Sequence, residues 1–271
     1  MNFLFLLLFL LILNPQHSKA QLPLKGTWYG SYGWNKSEYK KSTIHFKGTG
    51  HNFTLFDVIA NDRQTPVNFS SIFKTYFHPF RWSIPQYNIS FGYFFTNQFA
   101  ISIGFDHMKY VLQNNQTAKM SGHINPSLSE THQKELSSGT IDKIITTDFL
   151  TYEHTDGLNM LFIEAQYFYS IYSGKYNFDV SVFAGGGGGI ALPVSNIQLL
   201  GKKRSDRLHI AGFGVSVKTG LEFTIWKDYF FRTTAKAGYI NLLDVLTSYD
   251  GDKAKQKINY LEYIGVFGIR F

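Results

Sequence analysis

The sequence contains no cysteine, few charged residues and no apolar run long enough to form a transmembrane helix. The absence of cysteine excludes disulfide bonds, thiolate metal sites and a lipid anchor on an N-terminal cysteine. The longest apolar run, Phe3–Leu13, has only eleven residues, whereas a spanning helix needs about 20. Any part of the chain that crosses a membrane must therefore cross it as strands.

The first twenty residues have the pattern of a secretory signal peptide. Asn14 and Pro15 end the apolar run, and Ser18 and Ala20 place small residues at the −3 and −1 positions of a cleavage site. We therefore predict cleavage after Ala20, which leaves a single mature domain at residues 21–271. The alternative is an uncleaved anchor, which the shortness of the apolar run disfavours.

The mature chain is predicted to be basic and rich in aromatic residues. The whole chain carries a formal charge of +7, and removal of Lys19 with the signal peptide leaves +6. In an exported protein, phosphate-rich lipid head groups explain this charge better than nucleic acid does. Aromatic residues make up 17% of the sequence, the same fraction as all charged residues. Membrane barrels carry aromatic girdles at both interfaces, which fits this balance.

Residues 259–271 alternate between two kinds of side chain, as one strand with two different faces would. Counting back from the last residue to Leu261, every second position is apolar, aromatic or glycine. This set includes Tyr263, Phe267, Ile269 and Phe271. The intervening set holds both charged residues, Glu262 and Arg270. A soluble protein rarely ends on such an exposed aromatic row, so the pattern indicates a membrane-facing strand.

Eight alternating segments predict an antiparallel up-and-down β-barrel. They are residues 26–39, 86–95, 99–111, 159–169, 176–186, 209–225, 230–241 and 259–271. Long and short connections alternate between them, which places all the short turns at one end and all the long loops at the other. A further hairpin at 43–58 leaves ten strands possible if it joins the wall.

The faces of these segments indicate which side is outside. In segment 209–225 one face has Phe213, Val215 and Val217, and the other has Gly214, Ser216 and Lys218. Period alone does not say which face points inward. Glycine suits the crowded interior of a narrow barrel, and together with the signal peptide and the terminal phenylalanine it favours an apolar face directed outward.

The strand pattern, the loop alternation and the final strand resemble Gram-negative outer-membrane barrels of the eight-stranded OmpX and OmpA-transmembrane type. The resemblance implies a monomer in the outer membrane, with short periplasmic turns and long extracellular loops. It also implies that the row ending at Phe271 is read by the barrel-assembly machinery. The family has no shared catalytic residues, so we expect a non-enzymatic protein without a cofactor.

Nine charged residues fall on the predicted inward face. They are Asp106, Glu164, Asp179, Lys218, Glu222, Arg232, Lys236, Glu262 and Arg270. An eight-stranded interior is just wide enough for side chains to fill it, so we predict a lumen closed by hydrogen-bonded ion pairs. The alternative is a narrow pore for small solutes or ions, lined by the same residues.

Three other features suggest further sites. A basic rim at Lys202, Lys203, Arg204 and Arg207 is expected to meet lipopolysaccharide phosphates. The run Gly185–Gly189 is followed by apolar residues and not by the Lys-Ser or Lys-Thr of a phosphate loop, so we interpret it as the outer end of a strand. His107 is the residue on which a lipid A-modifying enzyme, the remaining alternative, would depend.

Overall fold

The computed structural model describes residues 22–66, 74, 76, 85–132, 134–135, 139–203, 205 and 209–271. The predicted signal peptide and the rim residues Arg204 and Arg207 lie outside these ranges. The described chain forms fifteen strands: β1 (Trp28–Tyr39), β2 (Ser42–Gly48), β3 (His51–Val58), β4 (Ala60–Asn61), β5 (Tyr87–Phe94), β6 (Phe99–Leu112), β7 (Thr117–Ile124), β8 (Lys134–Glu135), β9 (Ile141–Ile144), β10 (Leu150–Ser173), β11 (Asp179–Ala191), β12 (Asn196–Leu199), β13 (Gly212–Ile225), β14 (Tyr229–Leu246) and β15 (Lys253–Arg270).

Eight of these strands close into a ring of antiparallel neighbours. Their order is β1, β5, β6, β10, β11, β13, β14 and β15, and β15 returns to pair with β1. The closing pair runs in register from Tyr29 opposite Arg270 to Tyr39 opposite Tyr260. The predicted eight-stranded antiparallel barrel is confirmed, and the 43–58 hairpin is not part of its wall.

The three short turns lie at one end of the barrel, at residues 95–98, 174–178 and 226–228. The chain ends at this same end, where the backbone of Trp28 exchanges hydrogen bonds with that of Phe271. Aromatic side chains cluster beside the turns, and Tyr176 (81%) and Trp226 (66%) are among the most exposed. These features match the predicted alternation of short and long connections.

The wall of the barrel directs its apolar row outward. Ile163 and Val217 are 64% and 65% exposed, whereas Glu222 and Lys236 are almost completely buried. The orientation is therefore the reverse of a soluble barrel, as the glycine-rich charged face predicts.

No helix among the described residues has the length and apolar character that a membrane crossing would require.

The long connections are folded: the hairpin predicted at 43–58 is present as β2 and β3, whereas the strands in the other long connections were not predicted. Strand β2 continues the line of β1 along the outer end of β15, then pairs with β3, which pairs with β7. Strand β12 pairs with the outer end of β10, and β9 pairs with β7. We call these strands, with the outer ends of β6, β10, β14 and β15, the cap.

The cap has a hydrophobic core that continues into the mouth of the barrel. Phe46, Phe53 and Tyr152 of the cap are buried in the same cluster as Met160 and Phe162 of the barrel wall. In the cap the buried side chains of β2 and β3 are mainly apolar, and the exposed positions of β2 and of the outer end of β15 are mainly polar. This reversal explains why the outer extensions of the strands were missed: β10 begins at Leu150, not 159, and β15 at Lys253, not 259.

The glycine run lies within β11 and not at its end, so the predicted position is corrected by a few residues. A Cβ atom on Gly187 would lie 2.0 Å from the carbonyl oxygen of Ile163 on β10. Gly185 and Gly189 meet β10 carbonyl groups in the same way, whereas a Cβ on Gly188 would have no heavy atom closer than 3.6 Å. The glycines at alternate positions therefore allow β10 and β11 to approach closely.

Substitution of Gly187 by alanine is expected to lower the free energy of unfolding by about 1–3 kcal/mol, because the added methyl group overpacks a backbone contact. Gly188→Ala, on the adjacent residue, is the matched control and should be near neutral. Urea unfolding of protein refolded into lipid vesicles measures both. Equal loss in the two variants would contradict the close approach of β10 as the reason for glycine at position 187.

Candidate functional site

The barrel interior begins, at the short-turn end, with a layer of buried aromatic rings. Tyr29, Phe94, Phe168, Phe183 and Phe230 form it together with Leu24 and Ala100. The rings close this end of the lumen. They also line a cation site: the guanidinium carbon of Arg232 lies 4.9–5.2 Å from four of the ring centroids, which is within the range of a cation–π contact.

Glu222 lies next to this layer and binds two arginines. The Nη2 atom of Arg232 lies 2.6 Å from its Oε2 atom, and Arg270 contacts its Oε1 atom. Arg232 also donates to Gln166, and Arg270 also donates to Thr224. We call Glu222, Arg232 and Arg270 the lower cluster.

A second ionic group, the upper cluster, lies nearer the cap. Lys218 is 2.7 Å from Glu164, and Lys236 lies 2.5 Å from Asp106 and 3.0 Å from Glu164. Glu262 completes the group.

Asn88 connects the acids of the upper cluster. Its amide nitrogen donates to Asp106 at 2.6 Å and to Glu262 at 3.3 Å, and its amide oxygen accepts from the amide nitrogen of Asn35 at 2.6 Å. All of these side chains are buried. The amide therefore holds two carboxylates near each other inside the barrel.

Eight of the nine charged residues expected inside the barrel thus meet in two clusters, and Asp179 lies apart from them. Its carboxylate accepts hydrogen bonds from Ser170, Ser173 and Ser181 near the short turn 174–178. Sequence reasoning did not single out Gln166, Asn88 or the aromatic layer. Part of the signal was available, because Gln166 and Phe168 alternate with Glu164 on β10, and Phe230 alternates with Arg232 on β14.

The contacts between interior side chains join opposite walls of the barrel. A buried ion is costly unless its charge and remaining hydrogen-bonding atoms are satisfied. The carboxylates and cations are shared between opposite walls: Lys236 on β14 reaches Asp106 on β6. The two clusters, the aromatic layer and the cap core therefore fill the barrel along its axis.

His107 is buried on β6. Its Nδ1 atom is 2.7 Å from the amide oxygen of Asn159, and its ring stacks on Tyr87 at 4.8 Å. The hydrogen bond to Asn159 and the stacking on Tyr87 account for the position of the imidazole ring.

The cap contains a different histidine–serine pair. The Nδ1 atom of His154 lies 2.8 Å from the Ser195 hydroxyl, between the rings of Tyr110 and Tyr152. Burial lowers the pKa of His154 to about 3. A general base works best with a pKa near the operating pH, so this histidine is suited to packing and not to activating the serine.

No group of three or more His, Asp or Glu side chains among the described residues is placed to hold a metal ion.

The described residues of the predicted basic rim make contacts within the protein. The ammonium of Lys202 lies 2.6 Å from Asp252 and donates to the carbonyl of Thr49. Lys203 lies over the ring of Tyr249. Lys202 therefore connects its loop to the β2–β3 turn.

The terminal row faces outward along β15. Tyr263, Phe267, Ile269 and Phe271 are between 44% and 66% exposed.

Comparison of the structure with solved structures finds eight-stranded outer-membrane barrels. The outer membrane protein OprG of Pseudomonas aeruginosa shares 11% identity over 93% of this chain and 99% of its own, with a TM-score of 0.42. Neisserial surface protein A covers 91% of this chain and 100% of its own at 11% identity and a TM-score of 0.37. The N-terminal barrel of OprF from Pseudomonas aeruginosa, also at 11%, covers 92% and 99% with a TM-score of 0.34. No family model and no curated protein matches the sequence.

Replacement of Glu222 by glutamine should be strongly destabilising, because two buried guanidinium groups would lose their shared anion. Breaking a buried ion pair in this way costs about 3–5 kcal/mol. Glu38→Gln removes the same charge from an exposed position on β1 and should change the free energy of unfolding by less than about 0.5 kcal/mol. The measurement is urea unfolding in lipid vesicles. Similar stability of the two variants would contradict an interior held by these ion pairs.

Proposed function

We propose that the protein is an integral outer-membrane β-barrel of a Gram-negative bacterium, non-enzymatic and closed along its axis, which supports the envelope and presents a folded cap at the cell surface. The main support for this proposal is the band of exposed apolar side chains around the closed ring of strands, which we call the belt. The side chains inside the ring are polar and buried. Lipid is the solvent that favours this arrangement, since only closed barrels and helices satisfy the backbone in a bilayer.

The dimensions of the belt support the membrane setting. The outward row of β13 runs from Phe213 to Ile225, which is about 40 Å along the strand. At a tilt of about 40° this gives roughly 30 Å of height, comparable with the ~25 Å apolar band and its aromatic girdles. The belt is therefore long enough to cross a bilayer.

The orientation follows from the two different ends. The short turns and the chain terminus belong on the periplasmic side, and the cap then lies outside the cell. In this orientation the exposed row Tyr263, Phe267, Ile269 and Phe271 serves as the signal for the barrel-assembly machinery, and the predicted signal peptide at residues 1–20 directs export through the inner membrane.

The closed interior favours a structural role over transport. The aromatic layer at the short-turn end, the two ion clusters and the continuous cap core occupy the path that a solute would follow. An eight-stranded barrel has no width to spare once its side chains are packed.

The membrane setting is tested by placing a charge on the belt. In phosphatidylcholine vesicles, Val217→Arg should lower the free energy of unfolding by about 2–4 kcal/mol, the cost of arginine near the bilayer midplane. Thr117→Arg, at an exposed and β-branched position of the cap, is the control and should be near neutral. Heat-dependent mobility on gels and urea unfolding report the result. Equal tolerance of arginine at both positions would overturn the membrane assignment.

The closed interior is tested separately by planar-bilayer recording of the purified, refolded protein. We expect no steady conductance under conditions in which a general porin, added as the positive control, gives clear steps. Insertion is verified independently by protease protection in the same lipid. Steady conductance in the nanosiemens range would overturn the closed lumen and favour the narrow pore.

A further inference from the structure

The outer ends of β1, β2 and β15 carry a dense set of lysines on their exposed side. We call this set the lysine face. It consists of Lys36, Lys40, Lys41, Lys47, Lys253, Lys255 and Lys257, and every member is exposed. The acids on these strands or beside them include Glu38, Asp57, Asp244 and Asp252; Asp244 pairs with Lys253 at 3.0 Å, and Asp252 pairs with Lys202.

An irregularity in the strands contributes two of these lysines. The ladder along β15 runs from Tyr39 opposite Tyr260 to Ile44 opposite Gln256, so one extra residue lies between the two pairs. An extra residue of this kind changes the direction of neighbouring side chains. Lys40 and Lys41 are consecutive, yet both are exposed. The local backbone therefore turns two successive ammonium groups toward the same side.

The lysines are also placed against one another across the ladder. Lys47 lies directly opposite Lys253, and Lys255 lies opposite His45. Like charges at opposite positions destabilise a sheet. Burial of the ring and the charges of Lys255 and Lys47 lower the pKa of His45. Such concentrated positive charge is stabilised when an external anion is bound.

The position of the lysine face along the barrel axis indicates which anion it can meet. On β15 the outward row changes from Tyr263 and Leu261, in the apolar belt, to Asn259 and then the lysines. On β1 the same change occurs between Trp34 and Lys36. Lysines that begin where the belt and its aromatic residues end lie at the level of the lipid head groups on the cap side.

Other exposed lysines on the cap side have partners within the protein. Lys119 pairs with Asp142 at 2.7 Å, and Lys203 lies over the ring of Tyr249. The lysine face is thus a local concentration on one side of the barrel and not an even coat of charge.

We propose that the lysine face binds the phosphates of a phosphorylated glycolipid in the outer leaflet, as in lipopolysaccharide. The proposal rests on the proposed function, because only an outer-membrane barrel with its cap outside brings these lysines to that leaflet. The lysines rise along the strands beyond the belt, which suits a saccharide head group with phosphates at more than one depth.

The test compares lipid binding by the full-length mature protein in dodecyl maltoside micelles. Diphosphoryl lipid A and the same lipid with both phosphates removed are titrated, and native mass spectrometry counts the bound molecules. The face variant carries Lys40→Gln, Lys41→Gln, Lys255→Gln and Lys257→Gln. The control variant carries Lys25→Gln, Lys119→Gln, Lys175→Gln and Lys227→Gln, which removes the same charge from exposed positions elsewhere.

Wild type is expected to bind the diphosphoryl lipid selectively, and the affinity should fall as salt is raised. Loss of each contacting lysine should weaken binding about fivefold, so the face variant should lose roughly a hundredfold or more and the control less than threefold. Equal binding by the face variant and wild type would overturn the proposal, as would equal binding of the dephosphorylated lipid. If free pyrophosphate at a matched phosphate concentration displaces the diphosphoryl lipid, the site binds soluble anions, and the proposal of a lipid ligand is overturned.

Failure of this inference is distinguishable from failure of the proposed function. Both variants and wild type are first tested for incorporation into phosphatidylcholine vesicles. Wild type that does not incorporate would overturn both proposals. Wild type that incorporates normally, but does not discriminate between the two lipids, would overturn only the glycolipid site.

Discussion

The pairing of β1 with β15 is the interaction on which the rest of the structure depends. It joins the two ends of the sheet from Tyr29 and Arg270 to Tyr39 and Tyr260, so the wall has no free edge between them. Once the ring is closed, every wall strand has a fixed neighbour on both sides and a fixed inward face. The ion clusters and the aromatic layer exist because that register brings their members together.

In the cap the same strands place apolar side chains inward and polar side chains outward, the reverse of their arrangement in the barrel. On β15 the inward positions hold Arg270 and Glu262 in the barrel but Ile258 and Ala254 in the cap, while the outward positions change from aromatic residues to lysines. The backbone geometry continues without a break. The change reflects the surroundings that we propose for each part: lipid outside the barrel favours apolar side chains there, and water outside the cap favours charged ones.

The sequence predicted the strands best where the apolar side chains stay on the outward face. β1, β5 and β6 agree with their predicted bounds within two residues. The prediction was poorer where the apolar face changes from outward to inward. The first residues of β10 and β15 and the cap strands β7, β9 and β12 were therefore assigned to loops. A reversed pattern of short strands interrupted by glycine, asparagine and proline has the same local composition as a polar connection.

The sequence alone determined the alternation of the strands, the placement of short turns at one end and the set of side chains that face the interior. Only the tertiary structure decided the partners: Glu222 between two arginines, and Lys236 shared by Asp106 and Glu164. The physical reason is that these contacts cross the lumen between strands far apart in the chain. Their match depends on the tilt and stagger of the closed ring, which no local pattern encodes.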